Sequence, residues 1–219
     1  MPPQPLPPAA MFIGPALAFT AGFADAGSFV GAGGVFCAHM TGNFVVLAAD
    51  LASGTGEGGW LKLATFPIFV ATVLGATWAH RRFGGGPTPA AARFLLAGKS
   101  LLLGAAALVA CLGPSTVPGP RRTAIVALMV VAMAIQNTVH RLHPDFGPMT
   151  TVMTGNITGW LVDAVPPVAP AAAPRRRLVG MVIVAFTVGC AAGGVGVARL
   201  GFVVLVLPAV VALLVRARL

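Results

Sequence analysis

Residues able to do polar chemistry are so scarce in this chain that their positions are informative. Met40-Thr41-Gly42-Asn43 recurs as Met153-Thr154-Gly155-Asn156, 113 residues later, and Asp50 follows Asn43 by seven residues just as Asp163 follows Asn156. The sequence holds three Asn and four Asp, so two of each in equivalent places mark a duplicated unit. Thr, Gly and Asn are poor helix formers, and Gly lets the backbone leave helical geometry without penalty. A break at the motif is therefore expected. In an unbroken helix Thr41 and Asn43 point about 200° apart, whereas a broken segment can aim both side chains, with freed backbone groups, at one solute. Asn and Thr also serve as interhelical hydrogen-bonding glue, so packing is an equal alternative for the motif.

Upstream, Asp25 precedes Met40 by fifteen residues and Asn137 precedes Met153 by sixteen. An acid inside an apolar stretch is costly and faces a cavity or a partner, which would suit proton coupling. The alternative is a carboxylate near a helix end, hydrogen-bonded to the break. Gln136 and Asn137 occupy the related place in the second half, so a site between halves would set one acid against amides. Asp50 and Asp163 fall two turns after their Asn residues, on the same helix face. Lys99 is expected to snorkel from its apolar block to the interface. His140, His143 and Asp145 make a poor metal cluster because Pro144 interrupts them. No nucleotide loop, catalytic triad or helical two-histidine zinc motif is present, and no acid, base and nucleophile set can be assembled. Neither an enzyme, a cofactor nor a metal is expected.

The elements that position these residues follow from composition. Apolar residues make up 57% of 219 and charged residues 9%, against about 25% charged in ordinary soluble domains. Apolar blocks approach the roughly twenty residues needed to cross a bilayer as a helix. The net charge of +9 sits at block ends, where Lys and Arg orient membrane helices, so nucleic acid is not the expected partner. Cys37, Cys111 and Cys190 lie far apart and read as packing residues. The proline-rich start lacks the basic region of a cleavable signal peptide, so the first apolar block is expected to be retained.

Eight apolar segments are expected, at about 9–31, 35–53, 61–82, 93–113, 122–140, 148–165, 176–198 and 200–216. They are separated by breakers at Gly54–Gly59, Gly84–Pro89, Gly113–Pro120 and Pro166–Pro174. One membrane domain, 1–219, would thus hold a first repeat at about 9–113 and a second at about 122–216. If the motif segments are re-entrant, each half has three spans and the halves are inverted. The end bearing both termini then carries nine basic residues against four; with eight spans the count is eight against five. The positive-inside rule favours six spans with cytoplasmic termini. Paired broken helices in inverted halves hold substrate near the midplane in several transporters. Gly27 with Gly31, and Gly189 with Gly193, have the small-xxx-small spacing of close helix packing.

The doubled Met-Thr-Gly-Asn motif, with Gly22-Phe23-Ala24-Asp25-Ala26 and Gln136-Asn137, resembles the YoaK-like family of bacterial membrane proteins. The similarity runs over about 11–216 and implies a multi-spanning inner-membrane protein, without a substrate, reaction or catalytic residues. The expectation is an all-α integral membrane protein, a small-solute permease or channel. Asp25, Thr41, Gly42, Asn43, Gln136, Asn137, Thr154, Gly155 and Asn156 would line its substrate site. The competing expectation is a non-transporting scaffold. The lipid bilayer and an unidentified small solute are the expected partners, and a homo-oligomer is compatible with the sequence.

Overall fold

The computed structural model describes residues 9–54, 59–84, 88–166 and 173–219. Residues 1–8 and the interiors of three breakers, at 55–58, 85–87 and 167–172, lie outside the described residues. Eight α-helices follow in order: α1 Ala10–Gly31, α2 Met40–Ser53, α3 Gly59–Gly84, α4 Pro89–Cys111, α5 Pro120–Leu142, α6 Met153–Val162, α7 Ala173–Leu200 and α8 Val206–Ala217. Five apolar stretches are long enough to cross a membrane: Ala10–Gly31, Gly59–Arg82, Pro89–Cys111, Pro120–Leu142 and Ala173–Ala217. The last is folded in two at Gly201, whose φ of 67° turns the chain. These are the lengths and compositions of a multi-pass membrane protein. Its outer faces carry exposed Leu74, Trp78, Leu101, Leu108 and Val184, as a lipid-facing surface requires.

Local sequence explains the boundaries. Pro89 and Pro120 open their helices at the first turn, where a missing N–H costs nothing, and the Thr88 hydroxyl accepts the Ala91 N–H at 3.3 Å. Between α1 and α2 the chain reverses at Gly33 and Gly34, with φ of 68° and 80°, a conformation that side chains disfavour. In the second half Pro144 starts a single 3-10 turn and Gly147, at φ 108°, redirects the chain toward α6. The breaks therefore precede the tetrapeptides. Each motif forms the first turn of an intact helix, which corrects the expectation that Thr-Gly-Asn itself interrupts one.

Directions follow from named contacts. α1 and α7 run alongside in the same sense, Gly14 lying against Leu178 and Val182, and Gly31 against Val197 and Phe202. α4 runs against α5, Lys99 meeting Gln136, and against α8, since the Ser115 hydroxyl beyond α4 receives the Phe202 N–H. At the opposite end Ala92, Leu95 and Leu96 cluster with Val215. α1 opposes α5, Ala21 and Ala24 clustering with Ile125 and Met129 while Ile13 and Leu17 cluster with Ile135 and Val139. α3 and α5 are parallel, with Leu61 beside Pro118 and Pro120 and His80 beside His143. One end of the bundle thus gathers the start of α1 and the finish of α8; the other gathers the finish of α1 and the start of α5.

Both glycine pairs lie in the α1·α7 contact, as their small-xxx-small spacing implies, with Gly27 beside Gly193 and Gly31 beside Val197 and Phe202. A Cβ on Gly189 would collide with the Phe19 carbonyl, and one on Gly193 with the Phe23 carbonyl, so the α1 and α7 backbones touch directly. Leucine at Gly193 is expected to cost about 3 kcal/mol or more, since the obstructing atoms are backbone. Alanine at Gly75, with nothing near the added carbon, should be neutral or slightly stabilising. Thermal unfolding of both purified variants checks this; equal melting temperatures would show that the α1·α7 contact does not require glycine.

Candidate functional site

Residues 32–39 turn back from the end of α1 and lay their backbone against its interior. Ala32 and Gly34 still donate to the α1 carbonyls of Ser28 and Phe29, but the N–H groups of residues 36–39 lie beyond reach of a helical carbonyl, and such groups in apolar surroundings must be satisfied by protein. Asp25 does this. Its Oδ1 accepts the N–H groups of Cys37 at 2.9 Å, Ala38 at 2.6 Å and His39 at 3.3 Å, and its Oδ2 pairs with His39 Nδ1. The carboxylate is buried, at 3% exposure, so the expectation of an acid bonded to the helix break is the one realised. That hydrogen bond holds His39 above the ordinary imidazole value of 6.5, outweighing the opposing effect of burial.

Asn43 closes the same fold-back. Its amide oxygen accepts the Phe36 N–H at 2.7 Å, and its amide nitrogen donates to the Phe36 carbonyl at 2.8 Å and to Thr65 Oγ1 at 2.9 Å. A Cβ on Gly42 would meet the Phe36 ring at 2.8 Å, so that glycine admits the ring. Two turns on from Asn43, Asp50 pairs with the buried Lys62 at 2.7 Å, fastening α2 antiparallel to the start of α3. Thr41 is exposed, with Asn43 buried behind it, so the two do not converge. Asp25, His39, Thr41 and Gly42 instead border a cavity of about 530 Å³ between α1, α2 and α7, walled by Phe29, Phe36 and Phe186.

The second copy lies elsewhere. Asn156 donates to the Met149 carbonyl at 2.8 Å, again seven residues back. The Thr151 hydroxyl donates to Asn137 Oδ1 at 2.5 Å, and Asn137 donates to the Met133 carbonyl at 3.2 Å. Gln136 is fully buried; its nitrogen donates to the Leu17 carbonyl at 2.8 Å and to Thr150 Oγ1 at 2.7 Å. Thr154 and Gly155 are exposed. The nine candidates therefore form two groups, one around Asp25 and one around Gln136, rather than one common lining.

One residue of the site escapes sequence reasoning and a second departs from its expected place. His39 gave a faint signal, standing immediately before the first motif and fourteen residues after Asp25. Lys99 does not snorkel: it is fully buried, donating to Thr20 Oγ1 at 2.7 Å and to Gln136 Oε1. The helix starts at Pro89, four residues before the expected boundary, which carries Lys99 one turn deeper. No group of three metal-ligating side chains occurs among the described residues.

Removing Asn43 orphans both polar groups of Phe36, so Asn43→Ala is expected to cost about 3 kcal/mol, against about 1 kcal/mol for Asn156→Ala. Comparable losses in thermal unfolding would contradict the unequal bonding. The His39 contribution has a defined pH window. A raised imidazole pKa stabilises fully below 6.5 and is lost as pH climbs through the folded value. Melting temperature should fall over that window in the wild type, and His39→Gln should flatten this component; an unchanged slope would exclude the pair as its source.

No curated protein and no solved structure matches the chain. The model of a family described as protein of unknown function (DUF1275) matches residues 13–217, which takes in the doubled motif and nearly all of the helical bundle. The chain therefore belongs to the DUF1275 family, the YoaK-like family that its motifs resemble.

Proposed function

We propose that the protein is a small-solute permease of the bacterial inner membrane, built from inverted repeats at about 9–113 and 122–216. Each repeat has three spanning helices and one short re-entrant helix. The observation that carries the permease reading is the cavity of about 530 Å³ in which Asp25, His39 and Thr41 face phenylalanine walls. A wall of that kind suits a solute with an apolar body and one polar end, oriented by a few well-placed polar groups. A second cavity of about 800 Å³ borders the same α1·α7 pair, lined by Phe19, Trp160, Arg176 and Arg177. It follows the α1 stripe of Pro15 and Phe19 toward the terminus-bearing end, as Ala26 and Phe29 carry the first cavity toward the other. The two openings would serve alternating access to one solute.

The inverted arrangement draws support from direction. Eight spans would make α1 parallel to α5 and α4 parallel to α8, and both pairs are antiparallel. α2 starts at the level of Asp25 and finishes beside the start of α3, on the side where α1 ends. α6 likewise starts near Gln136 and finishes beside the start of α7, with Trp160 against Gly180 and Arg176. With the terminus-bearing end cytoplasmic, the excess of Arg falls where the positive-inside rule places it. The scaffold reading has its own support in Asn43 and Asn156, whose bonds close on nearby backbone. It accounts for Asp25 as the acceptor of the fold-back N–H groups but gives no role to the cavity beside it.

Purified protein in liposomes should pass members of a panel of small amphiphilic solutes faster than empty liposomes do. Asp25→Asn and Thr41→Val, the latter touching no bond that holds the fold, are each expected to lower that flux at least tenfold. Absence of flux across the panel would sink the permease. In a cysteine-free background, Ala52→Cys and Arg175→Cys should label with an impermeant reagent from opposite sides. Labelling from one side would sink the inverted repeats.

A further inference from the structure

Lys99 and the histidines of the terminus-bearing half have no part in the cavity at Asp25, yet they form a line. Lys99 is fully buried, and its described bonds are to neutral oxygens, those of Thr20 and Gln136. No carboxylate pairs with it among the described residues. A single ammonium without a counter-ion is costly in apolar surroundings, so a lysine kept there calls for a role beyond packing. One turn along α5 from Gln136, His140 is 3% exposed, and neither ring nitrogen has a hydrogen-bond partner. Buried polar atoms are rarely left so, and an idle imidazole can both accept and release a proton. His140 follows Gln136 by four residues on one face of α5, and His143 caps the end of that helix three residues later. His143 Nε2 then lies 3.2 Å from His80 Nε2, and His80 borders a cavity of about 260 Å³ with Thr88 and Leu95 at the terminus-bearing end. Leu95 stands one turn before Lys99 on α4, so this cavity approaches the lysine from the same end. Among the other charged groups here, Asp145 is exposed near His143, and Arg218 stacks over the Phe12 ring.

We propose that Lys99 is a proton-binding site that exchanges with solution at the terminus-bearing end through His140 and the His143·His80 pair. On unloading, an N–H bond of the Lys99 ammonium breaks and its proton passes, by water, to a lone pair of neutral His140. His140 releases a proton from its other nitrogen, again by water, to His143, and the His143·His80 pair releases one to water in the 260 Å³ cavity. Lys99 is left as a neutral amine and His140 returns to its starting charge. Loading runs the same steps in reverse. Toward the other end α1 presents Ala21, Gly22, Phe23 and Ala24 between Thr20 and Asp25, an apolar interval of about 7.5 Å of helix rise. The site is thus open to protons from one end and closed to them from the other. As a coupling site it rests on the permease reading; as a proton-exchange site it does not.

The chain has two lysines, Lys62 and Lys99, and four histidines, so isotope-labelled protein gives nearly assigned spectra. In protein carrying ¹³Cε-lysine, the Lys99 resonance is expected to move reversibly between its ammonium and amine positions with pH as one averaged line. His140→Leu should split it into separate charged and neutral lines by slowing exchange at least tenfold. His80→Gln, at the cavity edge where folding is least at risk, should slow exchange in the same direction. A Lys99 resonance that never titrates, or exchange unaltered in both variants, would overturn the proposal. Solute flux in liposomes is read separately, so titration without flux rejects the permease alone, and flux without titration rejects the proton site alone.

Discussion

Backbone amides that leave a helix inside an apolar bundle have no water to turn to, and every short segment of this protein is arranged around that constraint. The fold-back at 32–39 brings three consecutive N–H groups to one carboxylate oxygen of Asp25. Charge-assisted bonds of this kind are about twice as strong as neutral ones, so an anion in mid-bundle stabilises a break that would otherwise be forbidden. Asn43 then fixes the other flank through both polar groups of Phe36. The second break is tied down by neutral side chains: Gln136 donates to the Thr150 hydroxyl, the Thr151 hydroxyl donates to Asn137, and Asn156 donates to the Met149 carbonyl. An acid at one break and amides at the other make the two ends of the bundle chemically different.

Much of the architecture was legible in the residues. Block lengths located all eight helices, because a bilayer rewards long unbroken apolar runs and the breakers between them are Gly and Pro. The Gly189 and Gly193 spacing announced a close helix contact, though nothing in one sequence named α1 as the partner. The doubled motif pointed to the two short helices. Its mechanics differ from the expectation because the backbone role belongs to Gly33 and Gly34, while Gly42 makes room for the Phe36 ring.

The candidate site was legible in part. Asp25, Gln136 and the two Asn residues stood out by rarity, and each proves bonded at a break. Their separation into two groups could not be read, because it depends on α2 and α6 entering the bundle from opposite ends. His39 escaped notice since its link to Asp25 exists only after the chain folds back over fourteen residues. Lys99 was misplaced by a boundary error of a single helical turn, and in a membrane one turn separates a residue that reaches water from one that does not.

The side-by-side contact of α1 and α7 has a mechanical consequence. Carbonyls of Phe19 and Phe23 rest on Gly189 and Gly193 without intervening side chains, so neither helix can slide or rotate against the other without backbone collision. The short helices are attached differently: α2 through side chains to α3, and α6 through Trp160 to the head of α7. A backbone-to-backbone spine and arms held through side chains thus divide the structure, and a substitution in an arm can loosen α2 or α6 while leaving the α1·α7 contact intact.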